Sequence, residues 1–200
     1  MTLLTITQGL AKNVGFPSPT SVVGNSARNM VEALQFANET GEELARRVDW
    51  GQLQANATLT GDGTNLTHSL PAGFGRISKG AAVKSGSTPL RSLSRAEWGT
   101  LTPAVGTPRY FLLEGDEITL FPYLANLATV SVSYQTKFWT SAGAAAFTSD
   151  DQTSLIDEDL FLKGLIVRWR RQKGMPYQDE EAEYEAALQD FATFDDRARF

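Results

Sequence analysis

The most constraining feature of the sequence is a pair of adjacent helical patterns in residues 155–194. The first pattern starts with three acids at residues 157–159 and ends in a basic run, an arrangement that suits the dipole of a helix. Gly174 and Pro176 end this pattern before the second one starts. In the second pattern the apolar side chains fall on one face: Tyr184, Ala187, Leu188 and Phe191. The sequence therefore predicts two antiparallel helices joined by a short turn.

The two predicted helices need different surroundings. The first has apolar side chains on every side, namely Leu160, Phe161, Leu162, Leu165, Ile166, Val167 and Trp169. The second has a single apolar stripe and an acidic back formed by Asp179, Glu180, Glu181, Glu183 and Glu185. We therefore expect more than one element to cover the first helix, either the N-terminal helices of the same chain or a neighbouring subunit.

The N-terminal part of the chain has two further helical patterns. Residues 2–15 predict a short helix with Thr2 as its N-cap and Gly15 at its end. Residues 25–49 predict a longer helix, on the order of 35 Å at about 1.5 Å per residue. The predicted apolar face of the long helix consists of Ala27, Val31, Leu34, Ala37, Gly41, Leu44 or Ala45, and Val48.

After Trp50 the pattern changes to short runs that alternate apolar and polar residues. The predicted strands are residues 53–60, 66–70, 77–83, 90–93, 110–114, 117–121 and 128–138. Gly115 and Asp116 predict the turn of a β-hairpin, and residues 94–97 have the spacing of a helical capping box. In the last strand we expect Val130, Val132 and Tyr134 to point inward and Thr129, Ser131, Ser133 and Gln135 to point outward.

The order of these elements predicts an α+β protein. Its N- and C-terminal helices form one helical bundle, and an antiparallel β lobe is inserted between them. The expected parts are the N-terminal helices (1–50), the β lobe (51–140), a return linker (141–154), the C-terminal helical hairpin (155–194) and a C-terminal tail (195–200).

Composition restricts the chemistry that the chain can perform. It has no cysteine and one histidine, so thiolate chemistry is excluded and a Ser-His-Asp triad would depend on His68 alone. We interpret His68 as a histidine of the lobe surface or interior and predict no metal or cofactor site. The net charge of −5 argues against a general nucleic-acid binder. No apolar stretch approaches the length of about 18 residues that a membrane helix needs, and we expect a soluble protein made in the cytoplasm.

Several sequence segments together resemble the head-to-tail adaptor proteins of tailed bacteriophages. These segments are the Gly15-Phe16-Pro17 break and residues 46–50, 70–74, 110–122, 133–139, 155–160 and 173–177. The resemblance implies a virion structural protein, not an enzyme, that forms a ring, commonly of twelve copies, beneath the portal of the DNA-filled head. Its partners would be the portal protein, a tail or tail-completion protein and further copies of itself. DNA would pass through the ring without sequence-specific binding, and no membrane would be involved.

The resemblance also implies that the C-terminal segment reaches the portal. The residues expected there are Phe191, Phe194, Arg197, Arg199 and Phe200. Two guanidinium groups and aromatic anchors suit such a contact, because they recognise acceptors and fill pockets.

The basic run from Arg168 to Lys173 has two interpretations. It contacts DNA in a channel, or it completes a helix C-terminus and pairs with acids on an adjacent subunit. We favour the second, because a ring that DNA crosses should avoid tight phosphate binding. The candidates for this subunit interface are Arg168, Arg170, Arg171, Asp179 and Glu180.

The sequence is also compatible with two other functions. Another neck component, such as a tail-completion or tail-terminator protein, would share the ring but bind the tail tube. A carboxylate-based cell-wall hydrolase would use acids such as Glu39, Glu42 and Glu43. Residues 157–159 are expected to cap a helix rather than to bind metal, and residues 61–65 are expected to form a turn rather than a calcium loop.

Overall fold

The structure, a computed structural model, describes residues 1–80 and 82–197. The chain divides into two compact units. The helical unit consists of Met1–Leu53 and the chain from Lys137 onward, and the β lobe is Gln54–Thr136. The predicted α+β fold, in which N- and C-terminal helices flank a β-rich region, is confirmed.

The helices of the described residues are α1 (Leu3–Val14), α2 (Arg28–Arg47), α3 (Arg95–Trp98), α4 (Glu158–Gln172) and α5 (Gln178–Arg197). The strands are β1 (Gln54–Thr60), β2 (Thr67–Ser69), β3 (Phe74–Ile77), β4 (Val83–Ser85), β5 (Thr88–Pro89), β6 (Arg91–Ser92), β7 (Val105–Gly106), β8 (Tyr110–Glu114), β9 (Glu117–Phe121), β10 (Tyr123–Leu124) and β11 (Thr129–Thr136). A short 3-10 turn, Gly51–Leu53, follows α2. All these helices except α3 belong to the helical unit.

Helix α1 has the ends that its sequence predicts. The Thr2 hydroxyl accepts a hydrogen bond of 3.3 Å from the backbone N–H of Thr5. Gly15 ends the helix in the left-handed region, at φ 82°, where a glycine has no steric penalty. Leu3, Ile6 and Leu10 are fully buried, so the predicted apolar face of α1 is the one that packs on the core.

Helix α2 buries a face that differs from the predicted one at its N-terminal end. Val31 was expected on the apolar face, but it is 53% exposed and Ala27 is exposed too. Met30 and Phe36 are buried instead. These two side chains are larger than Ala27 and Val31, so burying them removes more apolar surface from water.

The C-terminal hairpin of helices forms as predicted. Helix α4 begins at an N-cap, Asp157, whose Oδ1 accepts a hydrogen bond of 2.9 Å from the N–H of Leu160. The apolar residues of α4 are buried except Leu162, which is partly buried. Along α5, Tyr184 and Leu188 are buried, and Ala187 and Phe191 pack against the same core.

Residues 141–154, predicted as a return linker, pack into the helical unit. Phe147 is buried in the core, and its backbone N–H donates a hydrogen bond of 2.8 Å to Oδ1 of Asn38. The Asp150 carboxylate accepts hydrogen bonds from the backbone N–H groups of Val22 and Val23. Residues 141–154 thus bind the loop that precedes α2 through these hydrogen bonds.

The β lobe has its own core and, in its described residues, three sheets. Their strand orders are β1-β11-β4-β5, with β3 also paired to β11, then β2-β9-β8-β6, then β10-β7. The pairing is antiparallel except for two short parallel pairs, β6 with β8 and β10 with β7. The lobe core includes Ile118, Leu120, Leu124, Val130 and Val132, all with no exposed surface.

The turns and irregularities of the lobe explain which predicted strands form and which do not. Glu114 pairs with Glu117 across Gly115, whose φ is 60°, so the predicted hairpin is confirmed. The prediction of a single strand over residues 77–83 is wrong. β3 ends at Ile77 and β4 begins at Val83, and Gly80 between them adopts φ 81°. The outward position of Gln135 is also wrong: the side chain is 1% exposed, beside a register shift between Gln135 and Thr136 that breaks the alternation.

Candidate interaction surfaces

A polar groove of about 270 Å³ lies among α2, α4 and α5 in the helical unit. Its lining residues are Phe36, Glu39, Glu43, Gly164, Val167, Arg168, Arg171, Gln172, Glu181, Tyr184 and Glu185. The helices approach closely at its floor, because Gly164 has no side chain. A Cβ at this position would lie 2.9 Å from Cε2 of Tyr184 and 3.0 Å from Cγ2 of Thr40.

Arg168 connects α4 to α2 across this groove. Its Nη1 lies 2.8 Å from Oε2 of Glu39, and its Nη2 donates a hydrogen bond to Oε2 of Glu43. The two acids are one helical turn apart on α2, so a single planar guanidinium reaches both. Glu39 and Glu43, considered above as hydrolase acids, therefore form ion pairs that hold the two helices together.

Arg47 connects α2 to α5 in the same way. Its guanidinium makes two hydrogen bonds to the Glu185 carboxylate, at 2.7 and 2.6 Å, and it lies 5.9 Å from the centre of the Tyr184 ring. The hydrogen bond raises the pKa of Arg47 and lowers that of Glu185. Burial, assisted by the negative charge of Glu43, raises the pKa of Tyr184 to about 12. Both ends of the Arg47–Glu185 pair are thus charged at neutral pH.

The rest of the basic run also finds partners within the chain. Nη1 of Arg170 lies 2.8 Å from Oε1 of Glu180. Arg171 is exposed, and its guanidinium lies 5.9 Å from the centre of the Tyr177 ring. Lys173 forms an ion pair with Glu32 and lies 5.0 Å from the centre of the Trp169 ring. Lys173 and Arg28 together lower the pKa of Glu32.

The five residues expected at the subunit interface differ in their contacts within the chain. Arg168, Arg170 and Glu180 are already paired inside one chain. Arg171 and Asp179 remain exposed. Arg168, Arg170 and Glu180 thus have partners within the chain, and a contact of the five candidates with a neighbouring copy stays a prediction.

The C-terminal residues expected to contact the portal are only partly described. Phe191 lies on α5 and is half-buried, with its ring centre 6.4 Å from that of Trp50. The side chains of Phe194 and Arg197, and the whole of Arg199 and Phe200, lie outside the described residues. Phe191 thus has a packing role within the helical unit, whatever else it contacts.

Residues 61–65 form the predicted turn. Oδ1 of Asp62 accepts hydrogen bonds of 2.8 Å from the backbone N–H groups of both Thr64 and Asn65. These backbone hydrogen bonds, Asn65 first, lower the pKa of Asp62 to about 2. Among the described residues no group of three or more acids and histidines has a geometry that could hold a metal ion.

His68 lies on β2, opposite Ile118 of β9. It is partly buried, and burial lowers its pKa from the usual 6.5, an effect that the charge of Asp62 opposes. A partly buried histidine on a strand of the lobe fits the interpretation of a lobe-packing residue.

Sequence reasoning missed the contacts that Arg47 and Glu185 make. Glu39, Glu43 and Arg47 recur every four residues on α2, which was a signal for a charged stripe. Their partners, Arg168 on α4 and Glu185 on α5, could not be identified from the sequence, because each pair joins residues more than 120 positions apart.

Comparison with known proteins gives the family directly. No match is found among curated proteins. The sequence matches the family described as "SU10 adaptor protein" over residues 1–199. The match covers nearly the whole chain, including both the helical unit and the β lobe. No helix in the described residues is long and apolar enough to cross a membrane. The chain belongs to the SU10 adaptor protein family, a family of structural adaptor proteins of bacteriophages.

Proposed function

We propose that the chain is a head-to-tail adaptor that forms a ring between the portal and the tail of a tailed bacteriophage. The observation that carries this proposal is the family match over residues 1–199. The ring has repeated copies, twelve in our proposal, and DNA passes through it without sequence-specific contacts.

The ion pairs between the helices of the helical unit support this role, because they are made within one chain. Its helices are connected by ion pairs of Arg47 and Arg168 with acids on other helices. A preformed unit loses little conformational entropy on docking. In this proposal the exposed Arg171 and Asp179 contact a neighbouring copy.

The C-terminal segment supplies the contact with the portal in this proposal. Helix α5 continues to Arg197, and Phe194, Arg197, Arg199 and Phe200 carry the docking chemistry. Docking to a portal ring brings copies side by side, so contacts that are weak in dilute solution become effective. Affinity for neighbouring copies is therefore conditional on the portal.

The test measures binding of the full chain to the purified portal ring of the same phage. The test variant replaces Arg197, Arg199 and Phe200 with alanine, and we expect about tenfold or greater loss of affinity, as for removal of a hot spot. The matched control replaces Asp195 and Asp196, in the same segment, and should bind nearly as well as the unmodified chain. Equal binding by both variants would contradict the assignment of the portal contact.

A different position in the neck would give a different result. A tail-completion or tail-terminator protein would bind the isolated tail tube and not the portal ring. Binding to the tail alone would therefore overturn the proposed position, although the chain would remain a phage adaptor.

A further inference from the structure

Strand β1 is an edge strand with an unpaired side. It pairs with β11 alone, in unbroken register from Gln54 opposite Gln135 to Thr60 opposite Thr129. Along an antiparallel strand, residues whose backbone N–H and C=O bind the neighbouring strand alternate with residues whose backbone groups point away from it. The direction of each residue in β1 therefore follows from a hydrogen bond just beyond the C-terminal end of β1 and from two on the far side of β11.

Two observations fix this direction. The N–H of Ser133 donates a 2.7 Å hydrogen bond to Ala82, and the C=O of Ser133 accepts one from Ser78, so Ser133 faces away from β1. Just beyond the strand, the N–H of Gly61 donates a 2.8 Å hydrogen bond to the C=O of Ala128, so Gly61 faces β11. The odd-numbered residues of β1 thus face β11. The residues that direct their backbone N–H and C=O outward are Gln54, Asn56, Thr58 and Thr60.

Strand β2 is a second such edge, in another sheet of the lobe. It pairs with β9 alone. Leu120 donates to the C=O of Leu66 at 2.9 Å, and Leu70 donates to the C=O of Asp116 at 2.8 Å, so residues 66, 68 and 70 face β9. Thr67 and Ser69 direct their backbone groups outward. In the described part of the chain, no hydrogen bond reaches the outward backbone groups of β1 or β2.

Neither edge is protected by a charge, a proline or a bulge, although β2 is only three residues long. Exposed edges normally carry charges, prolines or bulges that prevent another strand from pairing. β1 has no charged residue, no proline and no break in its register, and its outward residues are exposed and polar. β2 is equally free of acids, lysine, arginine and proline. By contrast, the short edge strand β5 of the same lobe contains Pro89.

We propose that β1 of one copy pairs with β2 of the neighbouring copy in the adaptor ring, which extends the proposed function to the contact between β lobes. The occupant of β1 is a second copy because the chain itself offers a matching uncharged edge with outward backbone groups. The two edges belong to different strands in different sheets, so the contact is heterologous and repeats from copy to copy. Such contacts generate rings when the rotation closes.

The length of β2 also accounts for control of assembly. Only Thr67 and Ser69 offer outward backbone groups in β2, so each junction consists of few hydrogen bonds. A junction of this size is weak between free copies and becomes effective only when docking raises the local concentration. The free chain is thereby kept from forming filaments edge to edge.

The primary test is amide hydrogen exchange of the full chain, free and bound to the purified portal ring. In the free chain, we expect the amides of Asn56, Thr58, Thr67 and Ser69 to exchange fast, whereas Ala57 and Leu59 exchange slowly. In the ring, the amides at both edges should slow by more than about tenfold. If the amides of β1 were protected in the ring and those of β2 were not, the strand paired with β1 would not be β2 of a second copy.

A variant test removes a single outward N–H group. Thr58→Pro leaves the pairing with β11 intact, because proline is tolerated on an edge strand where its missing N–H would face solvent. Thr58→Val is the matched control, since it keeps the N–H and has high strand propensity. We expect both variants to bind the portal. In the ring of the proline variant, the amides of Thr67 and Ser69 should exchange at least about tenfold faster than in the ring of the unmodified chain. In the ring of the valine variant they should stay protected.

The outcomes separate this inference from the proposed function. A complete ring in which all outward amides still exchange fast would overturn the pairing of β1 with β2 and leave the adaptor ring standing. A chain that forms no ring with the portal would overturn both. The measurement on the unmodified chain holds even if Thr58→Pro fails to fold.

Discussion

At the scale of single residues, Gly41 shows how tightly α2 packs in the helical unit. A Cβ at Gly41 would lie 2.4 Å from Cζ2 of Trp139, whose side chain has no exposed surface. We predict that Gly41→Ala lowers the free energy of unfolding by about 1–3 kcal/mol, despite alanine's better helix propensity, because the indole cannot move aside. Denaturant unfolding of the helical unit measures the change.

Gly9 of α1 provides the matched control for this prediction. A Cβ there would lie 3.0 Å from Cδ2 of Leu162, at the end of a flexible and partly buried side chain. Gly9→Ala gains the same helix propensity, up to about 1 kcal/mol, and should be neutral or stabilising. A Gly41→Ala variant as stable as Gly9→Ala would contradict the described packing of Trp139.

Arg168 gives the second prediction at this scale. Replacing it with alanine leaves Glu39 and Glu43 without their common partner on α4. We expect a loss of about 1 kcal/mol in the free energy of unfolding, since the pair is partly exposed. Arg171→Ala removes the same charge from an exposed position and should change stability by less than about 0.5 kcal/mol. Equal effects, measured in the free chain, would contradict a stabilising role of the Arg168 ion pairs between α2 and α4.

Single residues are also where sequence reasoning reached its limit. The cap at Asp157 and the hairpin turn at Gly115 follow from local spacing, and both were predicted. The exposure of Val31 and the burial of Gln135 depend on which neighbours arrive from distant parts of the chain. The partners of the basic run were unpredictable for the same reason: the charges were evident, but their pairing needs the tertiary arrangement.

At the scale of elements, the start of α4 depends on one side chain. Asp157 accepts the hydrogen bond from the N–H of Leu160, whereas Asp159 makes no such cap. We predict that Asp157→Ala lowers the free energy of unfolding by about 1 kcal/mol, the usual effect of losing an N-cap. Asp159→Ala removes the same charge from the first turn and should cost less. Thermal unfolding of both variants distinguishes the cap from the helix dipole alone.

The β lobe should respond to pH through His68 of β2. Burial holds the pKa of His68 below 6.5, so the folded lobe binds the proton less readily than the unfolded chain does. The lobe should therefore keep its full stability above pH 6.5 and lose stability as pH falls below that value, until both states are protonated. His68→Gln should abolish this decrease between pH 6.5 and the folded pKa. An unchanged slope in the variant, measured by denaturant unfolding, would exclude His68 as its cause.

Long elements were easier to predict than short ones. The four helices of the helical unit and the hairpin of β8 and β9 have clear periodicity and turn residues, and all were expected. The two-residue strands β5, β6, β7 and β10 have no periodicity of their own. They are defined only by the strands beside them, so their pairing depends on the completed lobe.

At the scale of the whole molecule, the order of elements determined the architecture. Helical patterns at both ends and strands between them require the distant ends of the chain to share a core, and they do. The family match spans both units, so the adaptor family describes the chain as a whole and not one unit alone. What the sequence alone left open is the contact between copies, since an unpaired edge becomes visible only once the strand order is known.

Assembly on the portal is tested by the mass of the protein in solution, alone and after mixing with the purified portal ring. We predict a single chain or a small oligomer when alone, and a ring-sized complex in which copies of the chain have added to the portal. A mass that the portal leaves unchanged, at low and at moderate salt, would contradict assembly on the portal.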